Sequence, residues 1–308
     1  GILMGNAFTP RPGMMIGLDF TQQYILKLGI IFLGIRLSFS DFIKFGSIAI
    51  PLIIICILSV LILVKLLIKK VPISSKMSYL IAIGTSVCGA TAIVATAPVI
   101  NAKKTEVAYA IANITLFGVI AMLFYPYLAE WYFYGEPLEA GLFLGTAIHE
   151  TSQVAAAGLI YDQQFNSPET LNVATVTKLI RNTFLVIMIP LFAFLYNRGE
   201  VKNKSYSILN IFPYFVLGFI GMILIRNIGD QVFSFESNNY EIWVNFINLI
   251  KVLATTFLTM AMAAVGISIN LNELKSMGYK PFIVGFIAAI TVGIVSIISM
   301  ETFLKYFI

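Results

Sequence analysis

Nine long apolar runs dominate this chain of 308 residues, over 22–38, 46–68, 78–101, 106–128, 139–160, 173–196, 208–228, 243–268 and 281–304. A helix needs about 20 consecutive apolar residues to cross the hydrocarbon core of a bilayer, and several of the runs are that long. Only 11% of the residues are charged, against about 25% in a soluble domain, which excludes a soluble globular protein. A membrane barrel would show short alternating segments, and these runs do not alternate. The predicted class is an all-α polytopic membrane protein. Every linker is short, so residues 1–308 are expected to form a single transmembrane domain. The chain opens on Gly1 rather than Met, and its first residues read as the last turns of an apolar helix; we expect an N-terminal helix or helices to precede it.

The formal charge of +5 reflects Lys and Arg in loops on one side of a membrane, and nucleic acid is not an expected partner. Cys56 and Cys88 both lie inside apolar runs, so no extracellular disulfide framework is indicated. Aromatic clusters around Trp131 and Trp243 suit interfacial belts, although each ring also suits ordinary apolar packing.

Internal repeats constrain the topology. Gly84-Thr-Ser-Val-Cys-Gly-Ala-Thr-Ala-Ile-Val-Ala95 aligns with Gly145-Thr-Ala-Ile-His-Glu-Thr-Ser-Gln-Val-Ala-Ala156 in size and polarity. Gly34 to Phe42 aligns with Gly266 to Leu274, and Ile2 to Asn6 more weakly with Ile223 to Asn227. Inverted repeats need matched elements to run in opposite directions. If 78–101 and 139–160 each crossed once, the single helix between them would make them parallel. If both instead enter and leave on one side as re-entrant hairpins, all three pairs invert together. The hairpin arrangement also gathers Lys65, Lys76, Lys103, Lys104 and Lys280 on one side and Glu130, Glu136, Glu139 and Glu169 on the other. This sorting favours broken or re-entrant segments with the basic side cytoplasmic.

Segment 84–95 is rich in Gly, Ala, Ser and Thr. Such residues let helices approach closely and tolerate unwinding; a plain helix-packing face would use them too. In the second copy Cys88-Gly89 becomes His149-Glu150 and Ala92 becomes Gln153, which concentrates ionisable groups at membrane depth, where they are costly and mark function. The alternative is that His149 and Glu150 pair with each other or cap a broken helix. Arg181 is a candidate contact for an anion through its bidentate fork. Lys178 and Arg36 could add charge, or could snorkel to an interface. Lys178 and Arg181 are read as beginning the helix that follows the His-Glu segment. Helix N-termini at Thr85-Ser86 and Thr146-Ala147 would offer N–H donors to a small anion. Asn113 and Thr115 could line the same cavity or bond between helices. Zinc spacing is absent, no cofactor motif occurs, and a Cys88–His149 nucleophile pair would require hydrogen-bond reach between the two side chains.

Leu28 to Asp41, Gly84 to Ile93, Gly145 to Gly158 with its His149-Glu150-x-x-Gln153-Val154 element, Lys178-Leu-Ile-Arg181 and Ala261 to Gly266 together resemble the YeiH-like sulfate-exporter family of bacterial inner-membrane proteins. The resemblance implies a multi-pass secondary transporter exporting sulfate or a related small anion. It also implies distant similarity to the cation:proton antiporter and bile-acid symporter superfamily, whose inverted repeats carry broken helices that cross the membrane. On this reading the substrate lies between 84–95 and 145–156, contacted by Thr85, Ser86, Cys88, Thr146, His149, Gln153 and Arg181. Glu150, with His149, handles a coupling proton or sodium ion. An organic-acid symporter of the same fold and an intramembrane enzyme using Cys88 and His149 are the alternatives, and a homodimer is compatible with the sequence.

Overall fold

The computed structural model describes residues 2–8, 12–67, 70–71, 73–97, 100–185, 187–188, 191–192, 215–233, 239–268 and 279–307. Pro98, Arg198, the 269–274 portion of the second repeat pair and the junction of the runs at 173–196 and 208–228 lie outside these residues. The described residues are nearly all helical, with no strand among them. Five of the helical stretches are long and apolar enough to cross a membrane, namely Gly13–Arg36, Phe42–Leu67, Thr105–Phe133, Tyr240–Ala261 and Tyr279–Phe303.

The chain gathers into two compact units. The first unit contains Gly1–Gly46 and Pro213–Asn272. It holds α1 (Ile2–Ala7), then α2 (Pro12–Phe20) and α3 (Leu26–Leu33), which are joined through one π turn into a continuous rod, together with α11 (Phe215–Val232) and α12 (Tyr240–Ser268). Glycines bring these helices together: a Cβ on Gly34 would collide with the Phe219 carbonyl, and one on Gly229 with the Trp243 ring. Trp243 is buried, stacks on Phe233 and Phe246 and donates to Asp230 at 2.9 Å. It is therefore a packing residue of this unit rather than an interfacial anchor. Trp131, by contrast, is 73% exposed. Arg36 donates to the Thr255 hydroxyl at 3.0 Å within this unit.

The second unit contains Ser47–Phe212 and Glu273–Ile308. It includes most of α4 (Phe39–Leu67) and all of α7 (Lys104–Phe133) and α13 (Tyr279–Phe307). α7 spans 30 residues, about 45 Å at 1.5 Å per residue. The run at 78–101 is broken into α5 (Ser75–Ser86) and α6 (Ala90–Thr96), with Gly89 at φ +63° in the turn. The run at 139–160 is broken into α8 (Pro137–Ala147) and α9 (Thr151–Phe165), with Ile148 and Glu150 extended between them. α10 (Pro168–Thr183) follows.

Side-chain contacts show which way each broken element runs. At the start of α5, Lys76 Nζ donates to the Asn101 carbonyl at 2.7 Å, and Ser74 hydrogen-bonds Glu106 near the start of α7. Leu80 and Ile81 of α5 pack with Ile93, Ala97 and Ile100 on the returning leg. The pair α5–α6 thus leaves and rejoins the Lys104 end of α7. At the other end, Tyr161 of α9 donates to Glu130 at 2.6 Å, Phe165 meets Tyr127, and Thr170 donates to the Pro137 carbonyl. The pair α8–α9 leaves and rejoins the Phe133 end. Both broken runs therefore turn back as hairpins, each returning to the end of α7 from which it started.

This arrangement predicts a labelling pattern in cells. Cysteines placed at Ser75 and Lys103, which are exposed, should react with a membrane-impermeant thiol reagent from one side. Cysteines at Glu136 and Gln163, also exposed, should react from the opposite side. Labelling of positions 75 and 103 from opposite sides would show a crossing segment instead of a hairpin.

Candidate functional site

Helix termini set the chemistry where the hairpin tips meet. The last four carbonyls of a helix have no partner within it, and deep in a membrane protein water cannot be assumed to supply one. The expected N-termini at Thr85-Ser86 and Thr146-Ala147 are instead the final turns of α5 and α8. The breaks fall at 87–89 and 148–150, so these residues present carbonyl oxygens rather than N–H groups.

Two cations from α10 answer those carbonyls. Arg181 and Lys178 stand in the last turns of that helix rather than at its beginning, and both are fully buried. Arg181 Nε donates to the Ser86 carbonyl at 2.8 Å and Nη2 to that of Thr85. Its Nη1 donates to the carbonyls of Thr146 at 2.6 Å and Ile148 at 3.2 Å. Lys178 Nζ donates to the carbonyls of Val87 at 2.9 Å, Ile148 at 2.9 Å and His149 at 2.5 Å. Each cation therefore bonds both hairpins, and Lys178 does not snorkel.

Glu150 serves the opposite polarity. It is the N-cap of α9, and the Gln153 side chain reaches back to accept from the Glu150 N–H at 3.2 Å, one half of a capping box. The Glu150 carboxylate accepts from the Ala90 N–H at 3.2 Å, at the start of α6 in the other hairpin. One carboxylate thus faces two helix N-termini, where negative charge is favoured. Gly89 makes the approach feasible, because a Cβ there would collide with Glu150 Cγ. Gln153 also donates to the Thr115 carbonyl of α7 at 3.2 Å, over Gly118, where a Cβ would strike the Gln153 amide.

The remaining candidates separate by whether their polar atoms are occupied. Ser86 Oγ is spent on the Ala82 carbonyl, and Thr146 Oγ1 on Leu142 and Ser296. Asn113 bonds the Pro281 carbonyl of α13 at 2.7 Å, an interhelical contact. Cys88 is a buried free thiol. Both ring nitrogens of His149 are buried without a hydrogen-bond partner, so no Cys88–His149 hydrogen bond exists. Thr85 Oγ1, Thr177 Oγ1 and Asn182 Oδ1 are likewise buried without partners. Sequence reasoning missed Gly118, Asn182, which donates to Thr151 across the α9–α10 contact, and Ser296. Of these only Gly118 carried a signal, as an isolated glycine within an apolar helix.

A profile of the family described as conserved hypothetical protein 698 matches residues 1–285. A UPF0324 membrane protein of Fusobacterium nucleatum is 35% identical over 302 residues, covering 96% of this chain and 87% of the relative. One from Streptococcus agalactiae is 36% identical over 306 residues, covering 99% and 88%. One from Clostridium tetani is 32% identical over 301 residues, covering 93% and 82%. No solved structure matches.

The clasp predicts a penalty for a change that keeps its charge. Arg181→Lys removes the fork that reaches four carbonyls, and each buried carbonyl left unpaired costs about 1–3 kcal/mol. Thermal unfolding in detergent should show a clear loss of stability relative to wild type. An unchanged melting temperature would show that Arg181 does not hold the tips together.

Proposed function

We propose that this chain, which belongs to that family of membrane proteins, is a secondary active transporter of a small inorganic or sulfonated anion in the bacterial inner membrane, coupled to a proton or sodium gradient. The observation that carries the reading is the meeting of two oppositely entering hairpins at a cluster of two buried cations and one half-buried carboxylate. Broken helices that meet away from either end of a spanning helix are a known construction for substrate and ion sites in carriers. Their alignment in sequence, Gly84 to Ala95 with Gly145 to Ala156, fits an inverted repeat.

The charge balance favours an anion. Each helix terminus carries about half an elementary charge. The C-termini of α5 and α8 thus contribute about one negative charge opposite Lys178 and Arg181. The N-termini of α6 and α9 contribute at most about one positive charge opposite Glu150. With the three side chains charged, the junction keeps a surplus of about one positive charge, which an anionic substrate would neutralise. His149, with both ring nitrogens unpartnered, is the side chain best placed to bond it, with Thr85 beside the cluster. Arg181 contributes field rather than a free fork.

Glu150 is the coupling group in this reading. Its neutral form would weaken the bond to the Ala90 N–H and with it one link between the hairpins, so proton binding and tip contact would depend on each other. In vesicles with an imposed pH gradient, the purified protein should accumulate labelled sulfate or a sulfonate. Glu150→Gln, whose amide oxygen can still accept from Ala90, should fold but lose the pH dependence. Full pH-dependent flux in that variant would sink the coupling role. Absence of flux for sulfate, sulfonates and carboxylates under both proton and sodium gradients would overturn the carrier reading.

A further inference from the structure

We propose that the ammonium of Lys178 is a built-in cation that permanently fills a monovalent-cation site formed by the backbone carbonyls of Val87, Ile148 and His149. Three carbonyl oxygens from two separate hairpins converge on Nζ at 2.9, 2.9 and 2.5 Å. An ammonium has three donors, and all three are used on carbonyls, none on a carboxylate. Buried lysines are ordinarily held by an opposite charge. This one is held by the oxygens of unwound backbone at broken helices, the ligand type with which carriers bind sodium and channels bind potassium.

Tethering sets Lys178 apart from a free ion. The side chain is fully buried and anchored on α10, so the charge cannot leave with the substrate or respond to an outside concentration. A site filled in this way does not require sodium at the tips. Within the carrier reading, on which this consequence rests, coupling then falls to the proton on Glu150 and not to a sodium ion.

Shortening the side chain should expose the site. Wild type, Lys178→Ala and Lys178→Met would be purified and their thermal unfolding followed in choline, lithium, sodium and potassium chlorides, and in ethylammonium chloride. Lys178→Ala leaves bare carbonyls and room for an ion. It should be less stable than wild type in choline and regain about 2 °C with sodium, potassium or ethylammonium at roughly tenfold excess over Kd. Lys178→Met fills the space without a charge and should be destabilised in every salt alike. Wild type should not respond.

A Lys178→Ala protein indifferent to every small cation, or a wild-type protein that gains as much from the same ion, would overturn the proposal. Lys178→Ser provides a second open variant. Failure of both open variants to accumulate in potassium-rich cells also counts against it, because a free cation should then replace the ammonium. Wild-type flux in vesicles should be unchanged when choline replaces sodium, and a strict sodium requirement would overturn the coupling consequence. Absence of any flux would bear on the carrier reading alone and leave the thermal result standing.

Discussion

The satisfaction of backbone carbonyls at two interrupted helices is the constraint on which the rest of the second unit depends. A helix that stops inside a membrane leaves oxygens without partners, at several kcal/mol each. At the end of α5 the accounting is complete from Ile83 to Val87. Ile83 and Gly84 accept from the N–H groups of Val87 and Gly89, Thr85 and Ser86 from Arg181, and Val87 from Lys178. At the end of α8, Thr146, Ile148 and His149 are answered by the same two side chains. Two residues three apart on one helix thus complete two hairpins at once, which ties the position of α10 to both tips.

That position needs close helix contact, and glycines provide it. A Cβ on Gly141 or Gly145 would press on Val173 or Thr177, and one on Gly158 would press on Leu171. All three face α10, so α8 and α9 can approach until Lys178 and Arg181 reach the tips. These glycines of the second broken run form a packing face, and the packing is what delivers the charges.

Much of this was legible in the residues because it follows from strong signals. Apolar length gave the membrane class, the Gly/Ala/Ser/Thr repeat located both breaks, and the sorting of loop charge indicated hairpins although the superfamily resemblance pointed to crossings. The polarity of the breaks was not legible. A shift of about three residues converts an N-terminus with donors into a C-terminus with acceptors, and sequence patterns leave element ends uncertain by 2–4 residues. That shift reverses the roles of Thr85, Ser86 and Thr146, from holding an anion to being held by cations. For Trp243 the ambiguity has a different cause: a ring near a helix end suits an interface or a core equally, and only Gly229 and Asp230 across the packed pair decide between them.

The same geometry limits how an anion could use Arg181. Its guanidinium already bonds Thr85, Ser86, Thr146 and Ile148, so an oxyanion that took the fork would detach it from both tips. The carbonyls of Thr85, Ser86 and Thr146 would then lose their partners at about 1–3 kcal/mol each, while that of Ile148 keeps Lys178, a cost that one bidentate ion pair would have to exceed. An anion bonded instead through His149 gains the surplus positive field and leaves the clasp intact. The electrostatics therefore separate two tasks that the sequence had assigned to one residue: Arg181 and Lys178 hold the break together and supply charge, while the unpartnered groups beside them remain free to bond a ligand.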